Sequence, residues 1–327
     1  MKAIAIQTDQ ENKPLVWQEV PAPAYSADEV LVDVHAAALN RADLAQRAGN
    51  YPPPGGASPI LGLDVAGRIT ALGANVTGWQ VGDRVCALVS GGGYAEQVNV
   101  PAPLLMAIPE AWSYEQAAAV PEVFYTAYVN IFMEANLQPG ETALIHGAAS
   151  GVGTAAIQLV REAGGRALAT AGTEEKAAYC TRLGAELAVN YRKEDFVERI
   201  LAHTNGQGVD VILDNVGAAY LERNIGLLKL RGRLVFIGTM SGSKAELNIG
   251  ALMGRRLRLI GSVLRSRSLV EKVKIKEKFM AQFWPLLLNG TIEPIIDTVY
   301  PIEQANEAHQ RMAENKNIGK IILKIRD

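Results

Sequence analysis

The sequence predicts an α/β protein of two domains, a β-rich unit on a small barrel or rolled sheet and a doubly wound parallel sheet. Three observations carry this. The 327 residues are more than one hydrophobic core usually serves. The first third consists of short alternating or β-branched runs separated by Gly and Pro clusters. From about residue 140 strand-like and helix-like segments alternate, the pattern of βαβ units.

In chain order, Met1 to Ile6, Glu29 to His35 and Ala66 to Leu72 read as strands of the first domain. Tyr51-Pro52-Pro53-Pro54-Gly55-Gly56, Gly78, Gly82-Asp83 and Gly91-Gly92-Gly93 punctuate them as turns. Tyr114 to Asn136 is Ala-rich and apolar at helical spacing, interrupted at Pro121. Strands are then expected at 142–146, 167–171, 187–190, 209–214, 233–237 and 256–260, with helices at 151–163, 174–183, 195–203 and 220–228. Six strands complete a dinucleotide-binding sheet. Beyond residue 265 come a long helix (269–288), a β-like run (295–300), a helix (302–314) and a last strand (320–325). These are too few strands for a third domain, so the tail is expected to return and complete the first. The expected domains are 1–118 with 265–327, and 119–264.

Composition narrows the function. Lys+Arg number 32 against 34 Asp+Glu, a formal charge of −2, so no cationic excess exists to hold nucleic acid. No apolar run reaches the roughly 18 residues of a membrane span, and the alternating N-terminus lacks the apolar core of a signal peptide. Cys86 and Cys180 cannot build a disulfide framework. A cytoplasmic protein is expected.

The strongest motif is Leu144-Ile145-His146-Gly147-Ala148-Ala149-Ser150-Gly151-Val152-Gly153, an apolar strand running through small residues into a helix. Backbone N–H groups at a helix N-terminus bind a pyrophosphate only where side chains are small enough for close approach. Ala149, Ser150, Gly151, Val152 and Gly153 are therefore cofactor-binding candidates. About 20 residues on, an NAD site wants an acid at the end of the second strand. Here stand Thr170-Ala171-Gly172-Thr173, with Lys176 one turn into the next helix. Gly172, Thr173 and Lys176 leave space and positive charge for a 2′-phosphate, and Tyr191 past the third strand can donate its hydroxyl. Glu174 and Glu175 read as first-turn acids after a Thr173 N-cap. NADPH is the expected cofactor.

Asn40-Arg41-Ala42-Asp43-Leu44, Tyr51-Pro52-Pro53-Pro54, Gly62-Leu63-Asp64-Val65-Ala66-Gly67, Ser150-Gly151-Val152-Gly153, Leu264-Arg265-Ser266-Arg267 and Asn315-Lys316-Asn317-Ile318-Gly319-Lys320 occur in this order. In this the chain resembles the zinc-independent quinone oxidoreductases of the medium-chain dehydrogenase/reductase superfamily. It is similar to the tumour-suppressor-induced quinone oxidoreductases of animals and, more distantly, to zeta-crystallin. The resemblance covers essentially the whole chain. It implies a GroES-like catalytic domain, a Rossmann domain inserted into it, and quinone reduction in the cleft between the two. It also implies cofactor contacts from Gly238, Thr239, Leu264, Arg265, Asn317 and Lys320. Zinc members carry Cys where this chain has Asn40 and His where it has Leu63, and the cysteines are too few for a structural zinc cluster. No metal is expected.

Loss of zinc removes a Lewis acid. A quinone is already a strong electron acceptor, so the protein need only position it and exclude water. Candidate substrate-side residues are Tyr51, Asn40 and Asp43. Tyr51 could stack on the ring or donate to a carbonyl oxygen, whereas Asn40 and Asp43 could equally bond one another at a helix start. Two rivals stay open, NADPH-dependent reduction of enoyl thioesters or enones and a non-catalytic NADPH-binding role. Arg256 to Val263, read as the last strand of the parallel sheet, offers an edge for a homodimer.

Overall fold

The computed structural model describes residues 1–326, and the chain divides into two units. The first comprises Met1–Val123, Arg265–Met280 and the chain from Pro294 onward; the second is Phe124–Leu264 with Ala281–Glu293.

The first unit begins with β1 (Lys2–Ile6) and β2 (Leu15–Glu19), an antiparallel pair. Then come β3 (Glu29–Ala38), α1 (Arg41–Ala48), β4 (Asp64–Leu72), β5 (Arg84–Leu88), β6 (Gln97–Pro101) and β7 (Met106–Ala107). Val30, Val32 and Val34 alternate inward from β3 and pack on Val65, Ile69, Val85, Val98 and Val100, which is why a half-buried period-two strand forms here. Two helices follow, α2 (Tyr114–Ala118) and α3 (Pro121–Tyr128). Ser113 caps α2 through the Gln116 N–H at 3.2 Å. Pro121 does not interrupt one helix but opens the second, at a first-turn position where its missing N–H costs nothing.

The second unit holds β8 (Thr142–Ile145), α4 (Gly151–Glu162), β9 (Arg166–Ala171), α5 (Glu174–Arg182), β10 (Leu187–Asn190), α6 (Phe196–His203) and β11 (Val209–Asp214). It continues with α7 (Leu221–Leu227), β12 (Leu228–Phe236), α8 (Ile249–Gly254) and β13 (Arg258–Gly261). The six strands pair in parallel in the order β10-β9-β8-β11-β12-β13. This is the doubly wound order, whose reversal point lies between β8 and β11. Leu144, Leu168, Val189, Ile212 and Leu234 from five strands form its interior with Phe196 and Ile200 of α6.

Past β13 runs α9 (Leu269–Leu288), then β14 (Ile296–Pro301), α10 (Ala305–Ala313) and β15 (Lys320–Lys324). β15 pairs antiparallel with β3 and parallel with β14, so the C-terminal tail extends the N-terminal sheet. The end of α9 departs from the expected boundary. Ala281–Glu293 belongs to the second unit. Gln158 of α4 donates to the Glu293 carbonyl and accepts from its N–H, both at 2.9 Å. No helix among the described residues is long and apolar enough to cross a membrane.

Candidate active site

The phosphate loop sits at the reversal point, between the end of β8 and the start of α4. Ser150 is the N-cap of α4, its hydroxyl accepting from Gly153 N at 3.1 Å. A Cβ on Gly153 would lie 2.4 Å from the Ala148 carbonyl oxygen, so only glycine lets α4 start this close to the strand. Ala149 is buried, and Ser150, Gly151 and Val152 are partly exposed at the helix mouth. Asn215, just past β11, brings its side-chain amide against Gly147, and its buried Oδ1 has no hydrogen-bond partner. An orphaned acceptor beside a bare helix N-terminus is what a loop shaped for a polar ligand leaves behind. Gly238 and Thr239 follow β12, with Gly238 lying against the Asn215 backbone. Behind the loop, His146 donates from Nε2 to Asn224 Oδ1 (2.8 Å) and meets the Thr170 hydroxyl through Nδ1 (2.9 Å); burial pulls its pKa down to about 4.

At the end of β9 the chain turns through Gly172. A Cβ there would stand 2.9 Å from the Tyr191 hydroxyl and 3.6 Å from Arg192 Nε. Tyr191 and Arg192 are exposed, and among the described residues no hydrogen bond or ion pair engages the Arg192 guanidinium. Thr173 caps α5 by accepting from Lys176 N at 3.2 Å, as the sequence led us to expect. Glu174 turns to Asn190 (3.0 Å) and Lys193 (3.2 Å), away from a ribose-binding role. Sequence reasoning passed over Arg192; its only signal was its place beside Tyr191.

The substrate-side candidates all lie in the first unit. Tyr51 is half-buried, and burial raises its hydroxyl pKa above the usual range. Asn40 and Asp43 bond one another at the start of α1, one of the two readings the sequence left open. They are 5% and 1% exposed, and their hydrogen bonds are used up internally. Asp43 accepts from Asn40 N (2.8 Å), Gly62 N (2.9 Å) and the Tyr94 hydroxyl (3.2 Å). Burial nonetheless lifts its pKa to about 6, against the opposing pull of those amides. The pair closes a capping box on α1 and fixes the Gly62 turn.

Lys320, a cofactor contact by resemblance, is buried. Its side chain is 3% exposed and its three donors go to Leu39 O (2.9 Å), Asn40 Oδ1 (2.7 Å) and Asp64 Oδ2 (2.8 Å). Asn317 donates to the Gly319 carbonyl at 2.7 Å and shapes its own turn. Leu264 is buried at the end of the second unit, while Arg265 begins a segment of the first and points its guanidinium at Ser90 and Tyr51.

A barrel-like unit with a parallel nucleotide-binding sheet inserted into it defines a medium-chain dehydrogenase/reductase. Residues 26–110 match the alcohol dehydrogenase GroES-like domain, and residues 151–278 match the zinc-binding dehydrogenase domain. Human quinone oxidoreductase is 31% identical over 311 residues, covering 93% of this chain and 92% of its own length. The chain therefore belongs to the quinone oxidoreductase family of that superfamily and is an oxidoreductase of a nicotinamide cofactor. The Escherichia coli quinone oxidoreductase complexed with NADPH superposes with a TM-score of 0.88 at 29% identity, covering 99% of this chain and 100% of that one. CurK enoyl reductase superposes at 0.87 and 28% identity, over 99% and 98% of the two chains.

The residues present do not fit the zinc ion in the second domain's description. Asp64 already binds the Lys320 ammonium, the Asn40 amide at 2.8 Å and Glu122 N at 2.6 Å, and Leu63 has no donor atom. Among the described residues no group of three His, Cys, Asp or Glu side chains is placed to hold a metal. They do fit a dinucleotide: Ser150 to Gly153 for the pyrophosphate, and the Gly172 turn beside Tyr191 and Arg192 for the adenosine ribose.

Proposed function

We propose that this protein reduces quinones with NADPH. The observation that carries the cofactor choice is the close approach of Tyr191 and Arg192 to the Gly172 turn. The turn is flanked by a phenol hydroxyl and by a guanidinium that is unpaired among the described residues, with a glycine where an acid would accept from ribose hydroxyls. A 2′-phosphate supplies the charge those groups lack. When bound, the cofactor supplies the hydride; the chain binds it, holds the acceptor ring and keeps water out. Ser150 and the first N–H groups of α4 take the pyrophosphate, and Tyr191, Arg192 and Lys176 the 2′-phosphate.

Quinone as acceptor is supported by what the substrate-side loop offers. It presents the half-buried ring of Tyr51, while the nearby carboxylates Asp43 and Asp64 are locked inside the unit. A flat, electron-poor ring needs stacking and an oxygen-directed donor rather than a general acid. The likeness to an enoyl reductase supports a second reading, in which Tyr51 delivers a proton to the substrate α-carbon. We also propose that the protein is a homodimer paired through β13. Steady-state oxidation of NADPH with naphthoquinone and with a crotonyl thioester, each with and without chelator, tests the reading. Turnover of naphthoquinone at least about tenfold more efficient than of the thioester, and insensitive to chelator, is the expected result. Preference for the thioester overturns it.

A further inference from the structure

The guanidinium of Arg265 carries a donor that the fold does not use. The residue is 4% exposed. Nε donates to the Ser90 carbonyl at 2.8 Å and Nη1 to the Tyr51 carbonyl at 3.4 Å, while buried Nη2 meets no acceptor. A second buried cation stands beside it. Lys272 Nζ donates to Ser90 Oγ and to the Arg265 carbonyl, both at 2.7 Å. Among the described residues neither cation has a carboxylate partner within ion-pair distance, and Asp43 reaches Arg265 only through its field. Burial pulls the pKa of both downwards, a sign of positive charge held without its complement. The ring of Tyr51 lies against this cluster, its centroid 5.5 Å from the guanidinium carbon.

Structural tethering does not account for the arrangement. Ser90 is already held twice, by Arg265 Nε and by Lys272, and neither bond needs the remaining donor. A buried charged donor left unsatisfied costs free energy, and such groups persist where they meet a partner absent from the resting protein. The partner must be an oxygen that is or becomes negative.

We propose that Arg265 Nη2, backed by Lys272, donates to a carbonyl oxygen of the substrate as that oxygen becomes an oxyanion. The proposal rests on quinone reduction as the reaction. Hydride transfer oxidises the nicotinamide and reduces the quinone to its hydroquinone monoanion; one proton from water then completes the hydroquinone. Charge accumulates on the oxygen during the first step, and a donor already in place there stabilises the transition state more than the neutral quinone. Tyr51 covers the ring, and the Arg265–Tyr51 carbonyl bond sets where that ring stands. Arg265 would thus act on the substrate, not on the cofactor.

The test uses the full-length protein and the Arg265→Lys and Arg265→Ala variants. Three quantities are measured: NADPH affinity by fluorescence titration, kcat and KM for naphthoquinone, and affinity for hydroxynaphthoquinone, which is an anion at neutral pH. The Ala variant should lose about 100-fold in kcat/KM for the quinone and about tenfold in affinity for the anion, with NADPH affinity within about twofold. Millimolar guanidinium should restore at least about tenfold of the Ala variant's rate, and the Lys variant should fall between. NADPH binding weakened tenfold with quinone kinetics intact would overturn the assignment. So would activity lost in both variants, with a lowered Tm and no rescue. Wild-type protein that fails to reduce naphthoquinone, yet binds hydroxynaphthoquinone through Arg265, would refute the quinone reaction and leave the oxyanion site standing.

Discussion

Replacing Lys320 with Met tests whether one buried ammonium ties β15 to the start of α1. Lys320 and Asp64 are 3% and 0% exposed on their side chains and meet at 2.8 Å. Methionine occupies nearly the same volume without a donor, so Leu39 O, Asn40 Oδ1 and Asp64 Oδ2 each lose a partner at once. Asp64 would keep only the Asn40 amide and Glu122 N–H. Stripping one partner from a buried pair costs about 3–5 kcal/mol because the other charge is stranded. A native domain holds only about 5–15 kcal/mol in reserve. Urea unfolding followed by tryptophan fluorescence reports the loss, since Trp17, Trp79 and Trp112 lie in the first unit and Trp284 in the second. With m near 2 kcal/mol/M, the midpoint should fall by roughly 2 M. Adding Asp64→Asn removes the stranded charge and should recover about 2 kcal/mol. A loss under about 1 kcal/mol in the single variant, or a double variant no more stable than it, refutes the reasoning.

How much of this was legible in the chain varies with the range of the forces involved. The parallel sheet was readable because short apolar strands alternate with amphipathic helices, and each signal is local. The phosphate loop was readable for the same reason, since Gly153 answers to a carbonyl five residues away in its own turn. β5, Arg84–Leu88, escaped notice because Val85, Cys86, Ala87 and Leu88 are all buried and leave no alternation. β7 has only two residues, and α1, with eight, has Leu44 as its one large apolar residue and shows little beyond its Asn40 cap and Asp43. The site was harder. Lys320 sits in Lys-Ile-Ile-Leu-Lys, where a strand-flanking lysine reads as solvated; its partner Asp64 is 256 residues away. Arg192 escaped because its bearing on Gly172 depends on where parallel β9 and β10 end relative to one another. Leu257, which sequence periodicity offered to a dimer partner, is buried in its own unit's core with Ile225 and Leu228, whereas Leu259 stays half-exposed at the sheet edge.

NADPH should bind at least about tenfold more tightly than NADH, a difference of about 1.4 kcal/mol. Arg192→Gln should erode it severalfold without touching NADH affinity, and equal wild-type dissociation constants by titration would sink the cofactor reading. β13 is an edge strand of the parallel sheet. Sedimentation at micromolar concentration should give about twice the 35.1 kDa chain mass, and Leu259→Pro, which deletes a ladder donor, should yield monomer. A monomeric wild type refutes β13 pairing. The last prediction concerns acid. His146 is 2% exposed and neutral in the folded state, its pKa pulled by burial from 6.5 to about 4. The folded state therefore binds fewer protons than the unfolded one between those values, and stability rises with pH across that window. The contribution is complete above pH 6.5 and is lost as pH falls through about 4. Between pH 7.5 and 5 the histidine alone should account for a loss of about 2 kcal/mol. Asn at this position offers an acceptor and a donor to Thr170 and Asn224 but does not titrate. His146→Asn should thus lower stability at pH 7.5 yet flatten its decline towards pH 5 by about that amount. Asp43 titrates in the opposite sense, since its raised pKa gives back stability as pH falls towards 6 and below. It is unchanged in the variant, so it cancels when the two pH profiles are subtracted. Parallel wild-type and variant profiles would show that His146 is already protonated in the fold, and the hydrogen bonds drawn behind the phosphate loop would have to be reassigned.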